Sequence, residues 1–134
     1  MVVQRIDISN LINKPYRENG RGPEFYDCGG LFYEIAKRLG RYLPQYDTPK
    51  TDEEKNELFV TVKDLNFVKI EEPEAWCAVI FRIWDDKGNE KWHIGHVLPG
   101  LERFIHITEN TAVCTTSLNH KHWSVFFEGF YRYG

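Results

Sequence analysis

Across residues 28–39 the apolar side chains Leu31, Phe32, Ile35 and Leu39 recur at helical spacing, and Gly40 stands where such a helix would stop. Cys28 shares that face, so its thiol is expected to point toward the body of the protein and to be reached only through a cleft. A turn-rich connection, Leu43-Pro44-Gln45-Tyr46-Asp47-Thr48-Pro49, leads to the capping-box pattern Thr51-Asp52-Glu53-Glu54. Leu58, Val62 and Leu65 then continue one apolar face, which predicts a second helix over residues 51–65. After it the period drops to two. Strands are predicted over residues 67–70, 76–84, 91–98, 103–108, 112–116 and 124–133. Asp85-Asp86-Lys87-Gly88-Asn89 and Pro99-Gly100 supply turn residues between the second, third and fourth of these. Helices followed by a meandering antiparallel sheet imply an α+β domain, and short connections make antiparallel neighbours the default.

With 134 residues the chain fits one domain, 1–134, with a real core. Its 42% hydrophobic and 15% aromatic content is that of a globular protein. A net charge of −3 argues against nucleic acid as the main partner, since phosphate binding needs clustered cations. Arg5, Lys14, Arg17 and Arg21 do gather upstream of Cys28, where they suit either an anionic small substrate or a solvated surface. The first seven residues hold no apolar run of signal length and no later stretch could span a bilayer, so the expectation is synthesis in the cytoplasm and no membrane partner. Three cysteines without paired spacing do not make a disulfide scaffold. Cys77 and Cys114 sit in apolar strand-like runs as small hydrophobes.

That leaves Cys28, at a helix start, and two histidines on predicted strands, His93 and His106. A thiol of pKa about 8.5 is lowered by a helix N-terminus and a nearby imidazolium, which makes a thiolate nucleophile available at neutral pH. Alternation places His93, Gly95 and Val97 on one face of the third strand and Trp92, Ile94, His96 and Leu98 on the other. A tight Pro99-Gly100 hairpin pairing Leu98 with Leu101 would set His93 opposite His106, although proline fits primed turns poorly and a longer loop would shift the register by a residue or two. His93 would then be the base, His106 the residue that orients it, and the helix N–H groups with Tyr16 an oxyanion site. The alternative that stays open at this point is a buried cysteine and two core histidines. His93 and His96 face opposite ways, and His120 and His122 lie in a loop without a thiol or carboxylate at useful spacing, so no metal or other cofactor is expected. The glycines around Cys28 lack the Gly-Lys-Ser/Thr ending of a phosphate loop. The aromatics from Phe126 to Tyr133 read as strand packing.

Four segments in this order resemble the NlpC-type cell-wall peptidases, papain-like cysteine hydrolases, and especially their short phage and prophage versions. They are Pro15-Tyr16-Arg17-Glu18-Asn19-Gly20, Asp27-Cys28-Gly29-Gly30-Leu31, His93-Ile94-Gly95-His96-Val97 and Phe104-Ile105-His106-Ile107. The resemblance implies a papain-like fold with Cys28 as nucleophile, His93 as base, His106 as third residue and Tyr16 as an active-site wall. It also implies that Asp27 helps bind a free amine of the substrate, a γ-D-glutamyl–diamino acid peptide of peptidoglycan. Gly29 stands where many members carry a serine that contacts substrate. Glu18 and Asn19 replace the usual residues of the Pro-Tyr turn.

The leading expectation is therefore a peptidoglycan endopeptidase associated with a phage tail or prophage. Two others stand beside it. One is a tail structural or assembly component in which the same fold binds with weak or no hydrolysis. The other is a cytoplasmic thiol amidase or acyltransferase acting on another γ-glutamyl-like substrate.

Overall fold

The computed structural model describes residues 4–43, 52–84 and 86–134, with the side chain of Asp52 outside that description. Helix α1 spans Cys28–Arg38. It starts where Asp27 turns extended and accepts the Gly30 N–H at 2.7 Å, satisfying a donor that the first turn leaves unpaired. Lys37 and Arg38 close its last turn, where positive charge meets the negative end of the helix dipole. Helix α2, Asp52–Asn66, leads directly into strand β1, Phe67–Ile70. The strands β2 (Ala78–Trp84), β3 (Glu90–Val97), β4 (Arg103–His106) and β5 (Cys114–Ser117) follow as an antiparallel meander. A short helix α3, Lys121–Val125, precedes β6, Phe127–Tyr133. The sheet order is β1-β6-β2-β3-β4-β5, so the last strand returns between the first two.

The sheet has two buried faces. On one, Phe32 and Ala36 of α1 pack against Ala78, Ile80, Ile94, Tyr131 and Tyr133. On the same face Leu31, Ile35 and Leu39 pack with Trp76, Ile105 and Ile107, and Cys28 lies against this cluster. The opposite face carries Cys77, Val79, Phe81, Val97 and Phe104 under Trp123 of α3. Strand alternation divides the two sets, and the register keeps them aligned: Ile80 pairs with Ile94, Ala78 with His96 and His96 with Ile105.

Two details depart from the pattern read in the sequence. The run predicted over residues 124–133 loses its first residues to α3, where the His120 ring accepts the His122 N–H at 3.2 Å and caps a turn around Trp123. The hairpin between β3 and β4 is not a two-residue turn. Leu98 N–H reaches Arg103 O at 2.9 Å across a four-residue loop in which Gly100 and Leu101 take positive φ, 98° and 64°. The pairing is therefore His96 with Ile105 and Val97 with Phe104, which sets His106 level with Gly95 rather than with His93. The predicted capping threonine, Thr51, and the turn residue Asp85 lie outside the described residues.

Candidate functional site

A cleft of about 260 Å³ opens at the N-terminus of α1. Cys28, Asp27, Gly29 and Tyr16 form one wall, α2 contributes Lys55, Asn56, Phe59 and Lys63, and Trp92 and Ile94 of β3 line the rest. Tyr16 is brought there because the segment before α1 folds back on itself, with Arg17 N–H on Tyr26 O and Tyr26 N–H on Pro15 O, both at 3.1 Å. The same fold-back sets Gly20 O against the helix start, where Asp27 N–H donates to it at 3.1 Å. Lys55 crosses the mouth to Glu18 at 2.8 Å, joining α2 to that segment. Arg21 holds the Asp27 carboxylate at 2.6 Å. Of the four cations that gather before Cys28, Arg21 is the one that lines the cleft, while Arg17 lies over the Phe25 ring at 4.7 Å.

The electrostatics of this cleft oppose a thiolate. Burial pushes the Cys28 thiol up to about 11, and the Asp27 carboxylate adds to the rise; the Gly29 N–H, Arg21 and Lys55 only partly offset them. Burial likewise raises the Tyr16 hydroxyl to about 12, with Cys28 as the next contribution, so the two groups are neighbours and both stay protonated at neutral pH. One Asp27 oxygen is occupied twice, by Gly30 N–H and by Arg21. Gly29 has room: a Cβ there would meet nothing nearer than Asp27 Oδ1 at 3.7 Å.

His93 and His106 come together as the spacing of their strands implied, with His93 Nε2 and His106 Nδ1 sharing a hydrogen bond of 2.8 Å. Because they are not directly opposite, the two rings meet diagonally over Gly95, whose missing side chain leaves the space; a Cβ there would stand 3.3 Å from the His106 Cβ. His106 Nε2 bonds Thr116 Oγ1 at 2.7 Å, and Trp123 stacks on His93 at 4.7 Å. The pair is on the α3 face of the sheet, with Phe81 and Phe104. Cys28 is on the α1 face.

The expected Cys28-His93-His106 array is therefore not assembled. The reason lies in parity: α1 covers the Ile94 and His96 side of β3, and the sheet itself separates the thiol from the imidazole pair. His96 is the histidine on the α1 face, and it is committed elsewhere. It is fully buried, stacked on Phe32 at 4.0 Å and bonded through Nε2 to the Tyr133 hydroxyl. The polar wall contributed by α2 was not read from the sequence, although Lys55, Phe59 and Lys63 follow Leu58 and Val62 around one side of that helix.

Burial holds all three of these imidazoles neutral. It lowers His93 well below the ordinary range, helped by His106; lowers His96 similarly, helped by Arg41; and brings His106 to about 4, helped by His120. A base whose folded pKa is depressed binds fewer protons folded than unfolded, so its stabilisation is present above about pH 6.5 and is lost as pH falls toward 4. For His106 alone the loss should reach about 2 kcal/mol by pH 5. Urea midpoints at pH 7.5 and pH 5 should differ accordingly, and His106→Gln should shrink the difference. Equal pH sensitivity in the two proteins would remove His106 as its source.

Among the described residues no group of His, Cys, Asp or Glu side chains is placed to hold a metal ion. No helix among them is long and apolar enough to cross a membrane.

No family model matches this chain, and no curated protein does. Among solved structures it is similar to a Staphylococcus aureus subsp. aureus Mu50 protein described as similar to lipoprotein, NLP/P60 family, with a TM-score of 0.60 and 21% identity. The match covers 92% of this chain and 37% of that one. At that identity the likeness shows the fold, which is the α+β, papain-like NlpC type: helices, one of them carrying the cysteine, packed on an antiparallel sheet.

Proposed function

We propose that the protein recognises a carboxylate-bearing peptide of the bacterial cell wall, of the γ-D-glutamyl–diamino acid class, and binds it in the Cys28 cleft with weak or no hydrolysis, as a component associated with a phage tail. The observation that carries this reading is the separation of the thiol from the imidazole pair by the sheet, with a cleft left intact on the thiol side. Arg21, Lys55, Lys63 and Lys91 line that cleft, the first three paired with Asp27, Glu18 and Asp64, so a carboxylate-bearing occupant would share these cations with their present partners. The motif resemblance and the NLP/P60 fold support the peptide class.

Calorimetric titration of a γ-D-glutamyl–diamino acid peptide should show binding by the wild type, unchanged in Cys28→Ala and weakened about five- to tenfold in Arg21→Gln, which loses a charge-assisted contact. Purified peptidoglycan should release no fragments with either the wild type or Cys28→Ala. A second reading is the one the motif resemblance implies, a peptidase that forms a Cys28 thioester with His93 as base and His106, bonded to it at 2.8 Å, orienting it; it requires the thiol and the imidazole pair to meet, which the sheet prevents in this structure. Fragment release by the wild type and none by Cys28→Ala would replace the binding reading with that one.

A further inference from the structure

We infer that the ligand is amphipathic: a carboxylate that carries an acyl chain, with its head at the Cys28 end of the cleft and its chain in an apolar chamber beneath α2. The inference rests on the binding reading above and names the part of the ligand that a bare peptide does not supply.

The two ends of the cleft differ in chemistry. Around Cys28 the lining is polar, with Tyr16, Arg21, Asp27 and Lys55. Away from Cys28 the lining holds Leu58, Phe59 and Val62 from α2, Phe67 from β1, and Trp92 and Ile94 from β3, with Asn56, Lys63 and Lys91 as the polar side chains of those same elements. A peptide backbone pushed into that end would strand its N–H and C=O groups, whereas an alkyl chain would not.

The packing of α2 points the same way. Leu58, Phe59 and Val62 form its inward face, yet each is only half-buried, whereas α1 buries Leu31, Phe32, Ile35 and Ala36 almost completely. The inward face of α2 borders a cavity rather than filled core. An acyl chain would complete that layer, as a side chain does in a close-packed interior.

Trp92 supplies a separate sign. Its ring stacks on Phe59 at 5.3 Å on the chamber wall, and its indole N–H is buried without a hydrogen-bond partner. Buried donors are nearly always paired, and this N–H, closed off from solvent, would reach the carbonyl of an acyl amide in the cleft only once the Trp92 side chain turned toward it. Lys63, which lies over the Trp92 and Tyr131 rings at 5.9 and 5.4 Å, adds positive charge at the same wall.

The test is a series of N-acyl-D-glutamates from acetyl to dodecanoyl, titrated against wild type and Val62→Trp, with Phe59→Ser as a second chamber variant and thermal melts as a check of folding. Affinity for the wild type should rise about fourfold per added methylene until the chamber is full. Either variant should flatten that rise, read within each protein as the ratio of dodecanoyl to acetyl affinity. No dependence on chain length, with the acetyl member bound, would overturn the acyl chamber and leave the peptide-binding reading standing. An equal rise in wild type and both variants would place the chain elsewhere and overturn it too. Failure of every member, acetyl included, would remove both readings.

Discussion

Gly30→Ala should cost roughly 3 kcal/mol or more of stability, at a position where the same exchange in an ordinary helix gains up to about 1 kcal/mol. The sign is reversed by a close approach. A Cβ on Gly30 would stand 2.0 Å from Gly20 O and 3.1 Å from both Arg21 Nη1 and Asp27 Oδ1. The first of these is backbone and cannot rotate away. Moving it would also break the bond it accepts from Asp27 N–H and disturb the carboxylate that caps α1. Helix start, fold-back segment and cleft wall are thus tied at one point. Gly29 is the built-in control, because a Cβ there makes only an ordinary contact of 3.7 Å with Asp27 Oδ1, so Gly29→Ala should be neutral or slightly stabilising. Urea unfolding of the two variants decides the matter: equal stabilities would mean that the fold-back does not press on the helix as described.

Local chemistry made much of this architecture legible. The helix opening at Cys28 followed from the helical spacing of Leu31, Phe32 and Ile35, and the parity of β3 followed from strict alternation. The helix α3 was hidden because Trp123, Phe126 and Phe127 also suit a strand, and its cap is a histidine, outside the usual capping set. The place of β6 between β1 and β2 depends on contacts far apart in sequence, which no local pattern encodes.

The candidate site failed to be legible for a related reason. Alternation states that His93 and His96 face opposite ways, and it states nothing about which of the two faces α1 will cover. That choice is made by packing. Phe32 seats on His96, and Leu31 and Ile35 seat on Ile105 and Ile107, while Trp123 closes the other side over His93 and His106. A pattern of residues that resembles a thiol hydrolase in order and spacing is thereby divided between two layers. The histidine pair keeps its mutual hydrogen bond, and the cysteine keeps its cleft.

Alkylation of Cys28 by iodoacetamide should accordingly follow an apparent pKa near 11 and be insensitive to His93→Ala. Relative to a thiol of pKa 9, a rise of two units lowers the thiolate fraction at pH 7.5 about a hundredfold. The more basic thiolate is intrinsically more nucleophilic, with a Brønsted slope of about 0.4–0.5, which restores somewhat less than tenfold. The net expectation is a rate about ten to twenty times slower than that of an ordinary thiol, read per site by peptide mass spectrometry against the same Cys28 peptide alkylated in urea-unfolded protein. The insensitivity to His93 is the sharper part. In a Cys–His nucleophile the imidazolium is what holds the thiolate, so its removal raises the thiol pKa by units; here the sheet stands between the two groups, and the largest influences on the thiol are its burial and Asp27. Asp27→Asn should therefore speed alkylation where His93→Ala does not. A profile with a midpoint below pH 8 that moves upward in His93→Ala would show that the thiol and the imidazole pair meet in solution, and it would return Cys28 to the role of nucleophile.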